Sequence, residues 1–566
     1  MHSENSALAK YDLSDYRGLQ GKNLYRESRF LKRVIERYCA SLPNDHVKRI
    51  QAHLEGYGEL CGGILNQLTE ACHKEGKYGE IINYSKTGER IEEIQYSPEQ
   101  LESRRISYEY GVVNLDCQSD WPYEFHWAHR YALAFLMNLN GEGGVSCPLA
   151  MTEGLIYALR EIGTEEQKER YLPMLTDPKS TSWFMAGQYV TERVGGSNVA
   201  ANRTIARKVE GNRYILQGEK WFCSNPGDLW VTTARLEGSN TIGLFLVPRI
   251  KRNGELNGFR LVRKKDIIGS KGKVTAEVIY DQVEAEALGR PAHGLANLIR
   301  YIINVSRLHV AIGAAGNSHR AVLEIKEYAR WRTAYGKKLM EIDVFANEFA
   351  DLNIEQNVLN FTVFRYLAEL NKNSGVARNL LAPLMKFISS SKAGQLTHRA
   401  ILCMGGNGIL GDFSILPRLH NDAIINETWE GTHLLLTGHI ISALLRPRIQ
   451  AEFFELLEQM TSHARSIEYL QPSAQIMDTR VNLLRETLSS YHREQLELNR
   501  IPISEELYNV FALAEMLEQA GFDQNPESEY VSLLEGWIQK LTNPGKTSLM
   551  PNLQKNTEHK GKILQY

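Results

Sequence analysis

The chain has 566 residues, 43% of them hydrophobic and 23% charged, with a formal net charge of −2. One hydrophobic core rarely grows past about 250–300 residues, so several packed domains are expected. The near-neutral balance gives no long-range attraction for nucleic acid or anionic lipid, no apolar run approaches the roughly 18 residues a membrane helix needs, and the seven scattered cysteines, with no C-x-x-C pair, argue against a disulfide framework or a thiolate metal site.

Residues 1–50 read as an N-terminal extension: a polar leader, then a basic amphipathic segment carrying Leu31, Val34, Ile35 and Tyr38. The opening Met1-His2-Ser3-Glu4-Asn5 has no basic start leading into an apolar stretch, so a cytoplasmic location is expected. Residues 51–182 read as a helical domain, because Leu54, Leu60, Leu65 and Leu68 recur near helical spacing. Thr164 ahead of Glu165, Glu166, Gln167 and Lys168 is a helix start.

Between 183 and 290 the pattern shifts to short β-prone runs broken by Gly, Asn and Pro. Tyr214–Leu216, Trp230–Thr233, Ile242–Val247 and Val278–Tyr280 are the candidate strands of a small sheet or barrel. Residues 291–446 turn helical again, with segments at Arg307–Arg332, Asn347–Leu370 and on through Leu396. Helix, sheet, helix in that order predicts an α+β fold rather than alternating βαβ units. Residues 447–566 form an acidic extension with 11 Lys or Arg against 17 Asp or Glu. Phe453, Leu456, Leu457 and Met460 predict one more helix there, and the last twenty residues read as loosely ordered.

No Walker loop and no G-x-G-x-x-G after a strand is present, and Gly405-Gly406-Asn407-Gly408 alone reads as a turn. Four segments in order carry more. They are Gln188-Tyr189-Val190-Thr191-Glu192 with Gly195-Gly196-Ser197-Asn198; Gly218-Glu219-Lys220-Trp221-Phe222-Cys223-Ser224-Asn225; Tyr328 through Arg332 to Lys337; and Gly405 on to Trp429-Glu430-Gly431-Thr432. Together they resemble the acyl-CoA dehydrogenase family over roughly residues 50–446. Cys147-Pro148-Leu149-Ala150-Met151-Thr152, the Gly-Gly-Ser turn and Trp429-Glu430-Gly431 are most similar to its alkylation-response, AidB-like, branch.

The resemblance implies the family's fold: an N-terminal helical domain, a central β domain and a C-terminal helical bundle, here with a helical extension. It implies FAD as cofactor and α,β-dehydrogenation of an acyl thioester. Such a reaction needs a base against a weakly acidic α-carbon in a dry pocket, and a hydride acceptor held beside the β-carbon. By resemblance Glu430 is that base, with Trp429 excluding water beside it. Ser306, at the position some members use for the base, cannot do the job unaided. Gln188, Val190, Thr191, Phe222 and Ser224 match flavin-ring contacts, and Gly196 and Ser197 the pyrophosphate and substrate turn. Thr432 matches a further cofactor contact. Arg307 faces either a substrate phosphate or a core acid. Arg332, with Gly405 and Gly406, matches groups that meet the dinucleotide of a neighbouring subunit, which implies a homodimer or homotetramer.

The substrate is expected to be acyl-CoA or an acyl-carrier thioester, and the electron acceptor a protein such as electron-transfer flavoprotein. Two other readings stay open. One is a flavin oxidase or monooxygenase on the same fold, which retention of Glu430 disfavours. The other is a nucleic-acid-associated protective protein, disfavoured by the acidic extension, since phosphate contacts need Lys or Arg.

Overall fold

A computed structural model describes residues 12–177 and 183–542, so the expectation of a loosely ordered tail lies outside the described residues. The chain forms two compact units. One comprises Pro43–Gly313 with Ile424–Leu435; the other takes the described residues up to Leu42, Ala314–Ala423, and those from Leu436 onward.

In the unit built on Pro43–Gly313, helices at Asn44–Gly62, Pro98–Glu109, Trp127–Asn138, Ser146–Ile162 and Glu165–Thr176 precede the sheet. Thr164 caps the last of them in a reciprocal box: its hydroxyl accepts the Gln167 N–H while the Gln167 side chain accepts the Thr164 N–H. The Gln167 amide also donates to the Ala287 carbonyl at 3.1 Å, so this helix start is tied to the sheet. A hairpin of β1 (Glu80–Tyr84) and β2 (Arg90–Gln95) interrupts the helices. Its strands are mostly polar and half-exposed, which is why apolar periodicity did not predict it. Glu92 pins it to the sheet by accepting the Leu261 N–H at 2.6 Å.

The sheet comprises β3 (Ala186–Tyr189), β4 (Ile205–Glu210), β5 (Arg213–Ser224), β6 (Leu229–Leu236), β7 (Ile242–Pro248), β8 (Phe259–Lys264) and β9 (Thr275–Ala287). All four predicted strands fall inside it; β3, β4 and β8 are additional. The path β6-β4-β5-β9-β7 closes because β7 pairs with β6 as well as β9, which leaves few free edges. The enclosed core holds Tyr189, Trp230, Phe245, Phe259 and Tyr280, and the Trp230 indole donates to the Tyr280 hydroxyl at 2.8 Å.

A polar aromatic cluster lies among the helices. His53 Nδ1 and His129 Nε2 are 3.0 Å apart, and Trp121 and Tyr110 pack on His53. Burial holds the His53 pKa down to about 4 from 6.5 and that of His129 well below 6.5. Both pKa values are lower folded than unfolded, so the unfolded chain binds more protons as pH falls. The stability contributed by keeping these rings neutral is complete above about 6.5 and is lost as pH falls toward about 4. The melting temperature is therefore expected to drop between pH 7 and pH 5, and a His53→Gln, His129→Gln double variant to show a flatter profile. Calorimetry at both pH values would detect the difference, and parallel profiles would reject it.

The other unit is helical. Arg29–Tyr38 buries Leu31, Val34 and Ile35 as its amphipathic pattern predicted. Asp343–Asn371 and Ala382–Met404 are the long central helices. Charged side chains link Arg29–Tyr38 and Asp343–Asn371 to the extension: Arg37 bonds Glu515 at 2.8 Å and Glu518 at 2.7 Å, and Arg365 bonds Glu518 at 2.6 Å. The extension holds more helix than predicted, at Pro447–Thr461, Gln471–Ser490, Arg500–Phe522 and Glu529–Thr542 among others. Leu513, Met516, Leu533 and Trp537 are buried there, and Tyr530 packs edge-on against Phe361 of the helix Asp343–Asn371. Among the described residues no helix is long and apolar enough to cross a membrane.

Candidate active site

Glu430 lies in a two-residue turn after the helix Leu416–Thr428. Its backbone is left-handed, with φ at +56°. For a residue with a Cβ this conformation costs about 1–2 kcal/mol and survives only where neighbours fix it. Two neighbours do so. The buried Arg307 donates its Nε–H to the Glu430 carbonyl at 3.3 Å, and Gln188, in β3, donates its amide N–H to Glu430 Oε1 at 2.7 Å. Gln188 is itself held in parallel register with Val231 of β6.

The wall around this carboxylate comes from the helix Ser146–Ile162 and the loop before β9. The Cys147 thiol is within electrostatic reach of Glu430, and burial pushes its pKa up to about 12, so it stays neutral. Lys273 sits 5.4 Å from the ring centre of the half-buried Trp429, whose indole donates to Asn426 at 3.0 Å. Glu142 organises the turn before Cys147: one oxygen accepts the Cys147 N–H at 3.1 Å and the other the Gly144 N–H at 3.0 Å. Gly144 has φ at +74°, and a Cβ there would stand 2.3 Å from the Gly272 carbonyl oxygen. Gly144→Ala is thus expected to cost about 2 kcal/mol through strain and backbone clash together. Urea unfolding would measure it, and an unchanged midpoint would show that the two loops part freely.

The strand end beyond Gln188 carries the predicted ring contacts. The Val190 carbonyl accepts the Asn202 amide at 2.9 Å, and the Thr191 carbonyl accepts the Trp221 N–H at 2.8 Å. This last bond places Thr191 beside the β5 segment that carries Phe222 and Ser224. Phe222 is 49% exposed, an unusual state for a phenyl ring on a strand, and the Lys265 ammonium lies 4.9 Å from its centre. The half-buried Ser224 bonds the Thr275 hydroxyl at 3.0 Å. Gly196 approaches Thr191 so closely that a Cβ would meet its hydroxyl at 2.6 Å. Ser197 and Thr432 are exposed, and Thr432 Oγ1 accepts the Leu435 N–H at 3.4 Å.

Beneath the strand end, Lys220 and Glu192 form an ion pair at 2.8 Å with side-chain exposures of 0% and 1%. Glu192 also accepts the Arg203 and Thr204 N–H groups, so the carboxylate fixes the turn that carries Gly195 to Asn198.

Arg332, Gly405 and Gly406 belong to the other unit. Arg332 pairs with Asp12 at 3.3 Å, and Asp12 also accepts the Thr333 N–H at 2.6 Å. Gly405 caps the helix Ala382–Met404 with φ at +65°, and both glycines have open space where a Cβ would stand. Asn407, in the same loop, donates to the Tyr328 hydroxyl at 3.1 Å, one turn before Arg332.

Sequence reasoning missed the Gln188–Glu430 bond and the placement of Lys273. A 242-residue separation carries no local signal, and Lys273 stands in a Gly-Ser-Lys-Gly-Lys run that reads only as a loop.

Three family profiles match the chain in tandem: "Adaptive response protein AidB N-terminal domain" over residues 16–180, "Acyl-CoA dehydrogenase, middle domain" over 187–283, and "Acyl-CoA dehydrogenase, C-terminal domain" over 293–445. Acyl-CoA dehydrogenase family member 11 of Caenorhabditis elegans is 27% identical over 82% of this chain and 78% of its own length. The putative acyl-CoA dehydrogenase AidB of Escherichia coli K12 is 24% identical over 78% of this chain and 81% of its own. The crystal structure of Caenorhabditis elegans ACDH-11 in complex with C11-CoA matches the fold with a TM-score of 0.83 at 23% identity, covering 95% of this chain and 93% of that one.

Proposed function

Because the chain belongs to the acyl-CoA dehydrogenase family, on its AidB-like branch, we propose that it is an FAD-dependent enzyme removing the α-proton and β-hydride of an acyl-CoA, with Glu430 as the base. The observation that carries this reading is the 2.7 Å bond between Glu430 and Gln188, which joins a carboxylate to the strand that leads into Val190 and Thr191. A base tied directly to the strand that carries the ring site is what α,β-dehydrogenation requires.

The residues at the strand end suit a flavin. A half-exposed phenyl ring at Phe222 offers a face to a planar aromatic, and the Gly196 approach to Thr191 brings bare backbone close to the same place. Gln188, Val190, Thr191, Ser224 and Thr432 would contact the ring side, and Gly196 and Ser197 the pyrophosphate side. When bound, FAD supplies the hydride acceptor at the β-carbon. Glu430, held by Gln188, takes the proton from the α-carbon. Trp429 and the neutral Cys147 line the base's surroundings and limit water there. Arg307 holds the Glu430 main chain and so sets the height of the carboxylate.

Arg332, Gly405 and Gly406 are assigned to the dinucleotide of a second subunit, which makes the working enzyme a homodimer or homotetramer. Arg332 then has to share its guanidinium between Asp12 and phosphate, which a fork of five donors permits. The electrons pass to a protein acceptor such as electron-transfer flavoprotein, in a cytoplasmic setting.

Anaerobic titration of the purified yellow protein with acyl-CoAs of graded chain length tests the function. Loss of flavin absorbance with at least one of them is expected. A colourless protein that refuses added FAD, or a flavin that none of them reduces, would overturn it.

A further inference from the structure

We propose that Gln188 is a positioning residue for the Glu430 carboxylate, fixing its Oε1 and with it the direction in which the base is aimed. This assignment rests on Glu430 being the base in the reaction above, and it gives Gln188 a task distinct from contact with the flavin.

Three features of the site carry it. The bond is short, at 2.7 Å, and runs from a neutral amide to a carboxylate, an arrangement that favours the ionised acid. The Gln188 main chain is locked in the ladder with Val231, so its side chain starts from a fixed point. The Glu430 main chain is fixed separately by Arg307 in a left-handed conformation. A carboxylate tethered at both ends has little freedom left, which is what proton transfer at a defined carbon demands.

The charged and titratable groups around it include Glu427 and His433, 3.7 Å apart and three residues to either side along the chain. Arg307 faces it from the helix Asn304–Trp331, Cys147 from the helix Ser146–Ile162, and Lys273 lies over the ring of the neighbouring Trp429. Glu142 and Arg104 act on the Cys147 side of the same wall. The Cys147 thiol, pushed up to about 12 by burial, does not ionise near neutral pH. A carboxylate band absent from Glu430→Gln therefore reports Glu430 itself.

The test is a pH titration of that band by infrared difference spectroscopy on the full-length FAD-bound protein. Wild type is compared with Gln188→Leu and Gln188→Glu, using Glu430→Gln to identify the band. Loss of the amide donor in Gln188→Leu should raise the midpoint by about one pH unit, the equivalent of one charge-assisted hydrogen bond. Gln188→Glu, which sets a like charge against the base, should raise it further. FAD content is measured in both variants, and each midpoint is read on the FAD-bound fraction. Where an acyl-CoA bleaches the wild type, Gln188→Leu should slow bleaching at neutral pH by about tenfold or more and move the acid limb of its pH profile with the infrared midpoint.

An unmoved midpoint in Gln188→Leu overturns the assignment, whatever the enzyme's activity. The failure of every acyl-CoA to bleach wild type overturns the dehydrogenase reading instead, and the infrared midpoint still decides whether Gln188 controls the carboxylate.

Discussion

Replacing Glu430 with Gln is expected to slow reduction of the bound flavin by an acyl-CoA about 10²–10⁴-fold, the range a positioned general base contributes. Gln has nearly the same shape, so the turn should be kept. The left-handed backbone at +56° carries the same penalty for either side chain, and the Arg307 bond is to a main-chain carbonyl that the substitution leaves in place. The amide can still accept from Gln188. What disappears is a group able to take a proton near neutral pH. Yellow colour, FAD stoichiometry and melting temperature should therefore match wild type while the reductive phase in stopped-flow nearly vanishes. Reduction at the wild-type rate would remove Glu430 from the mechanism.

Lys220→Met should destabilise the protein by about 3–5 kcal/mol, the usual cost of stranding one half of a buried ion pair. Lys220 and Glu192 are 2.8 Å apart with side-chain exposures of 0% and 1%, so solvent cannot replace the lost ammonium. The Arg203 and Thr204 N–H groups still donate to Glu192, which places the expected loss toward the lower end. The double variant Lys220→Met, Glu192→Leu should recover much of it, because removing both charges removes the uncompensated one. Denaturant unfolding of the single and double variants checks this. A single variant as stable as wild type would mean that water reaches the pair. Because Glu192 anchors the turn from Gly195 to Asn198, the single variant should also bind FAD more weakly.

The sequence was most informative where burial is strong and local. Ile242–Val247 is apolar at every position and became β7, buried on both faces. The Thr164 cap was legible because the capping box needs only two residues three apart. The hairpin β1–β2 was illegible for the opposite reason: only Ile81, Ile94 and Tyr96 pack on the sheet core, and single side chains such as Glu92 and Arg249 tie it down. The extension yielded one helix to inspection and four long ones in the structure, since a helix such as Arg500–Phe522 is buried all round from Val510 to Leu517, Glu515 included, and has no single stripe to detect. For the site, the motif around Trp429-Glu430-Gly431 pointed to the carboxylate, yet its partners Gln188 and Arg307 come from 242 and 123 residues away. Spacing along the chain cannot register contacts that only folding creates.

Ile424–Leu435 belongs to the compact unit built on Pro43–Gly313, while the segments flanking it belong to the other. A recombinant piece spanning residues 43–313 would thus inherit Gln188, Thr191, Phe222 and Arg307 but not Glu430, the proposed base. Such a piece could bind coenzyme and stay catalytically silent. Adding a synthetic dodecapeptide of residues 424–435 in trans would ask how much of that silence is due to one missing loop.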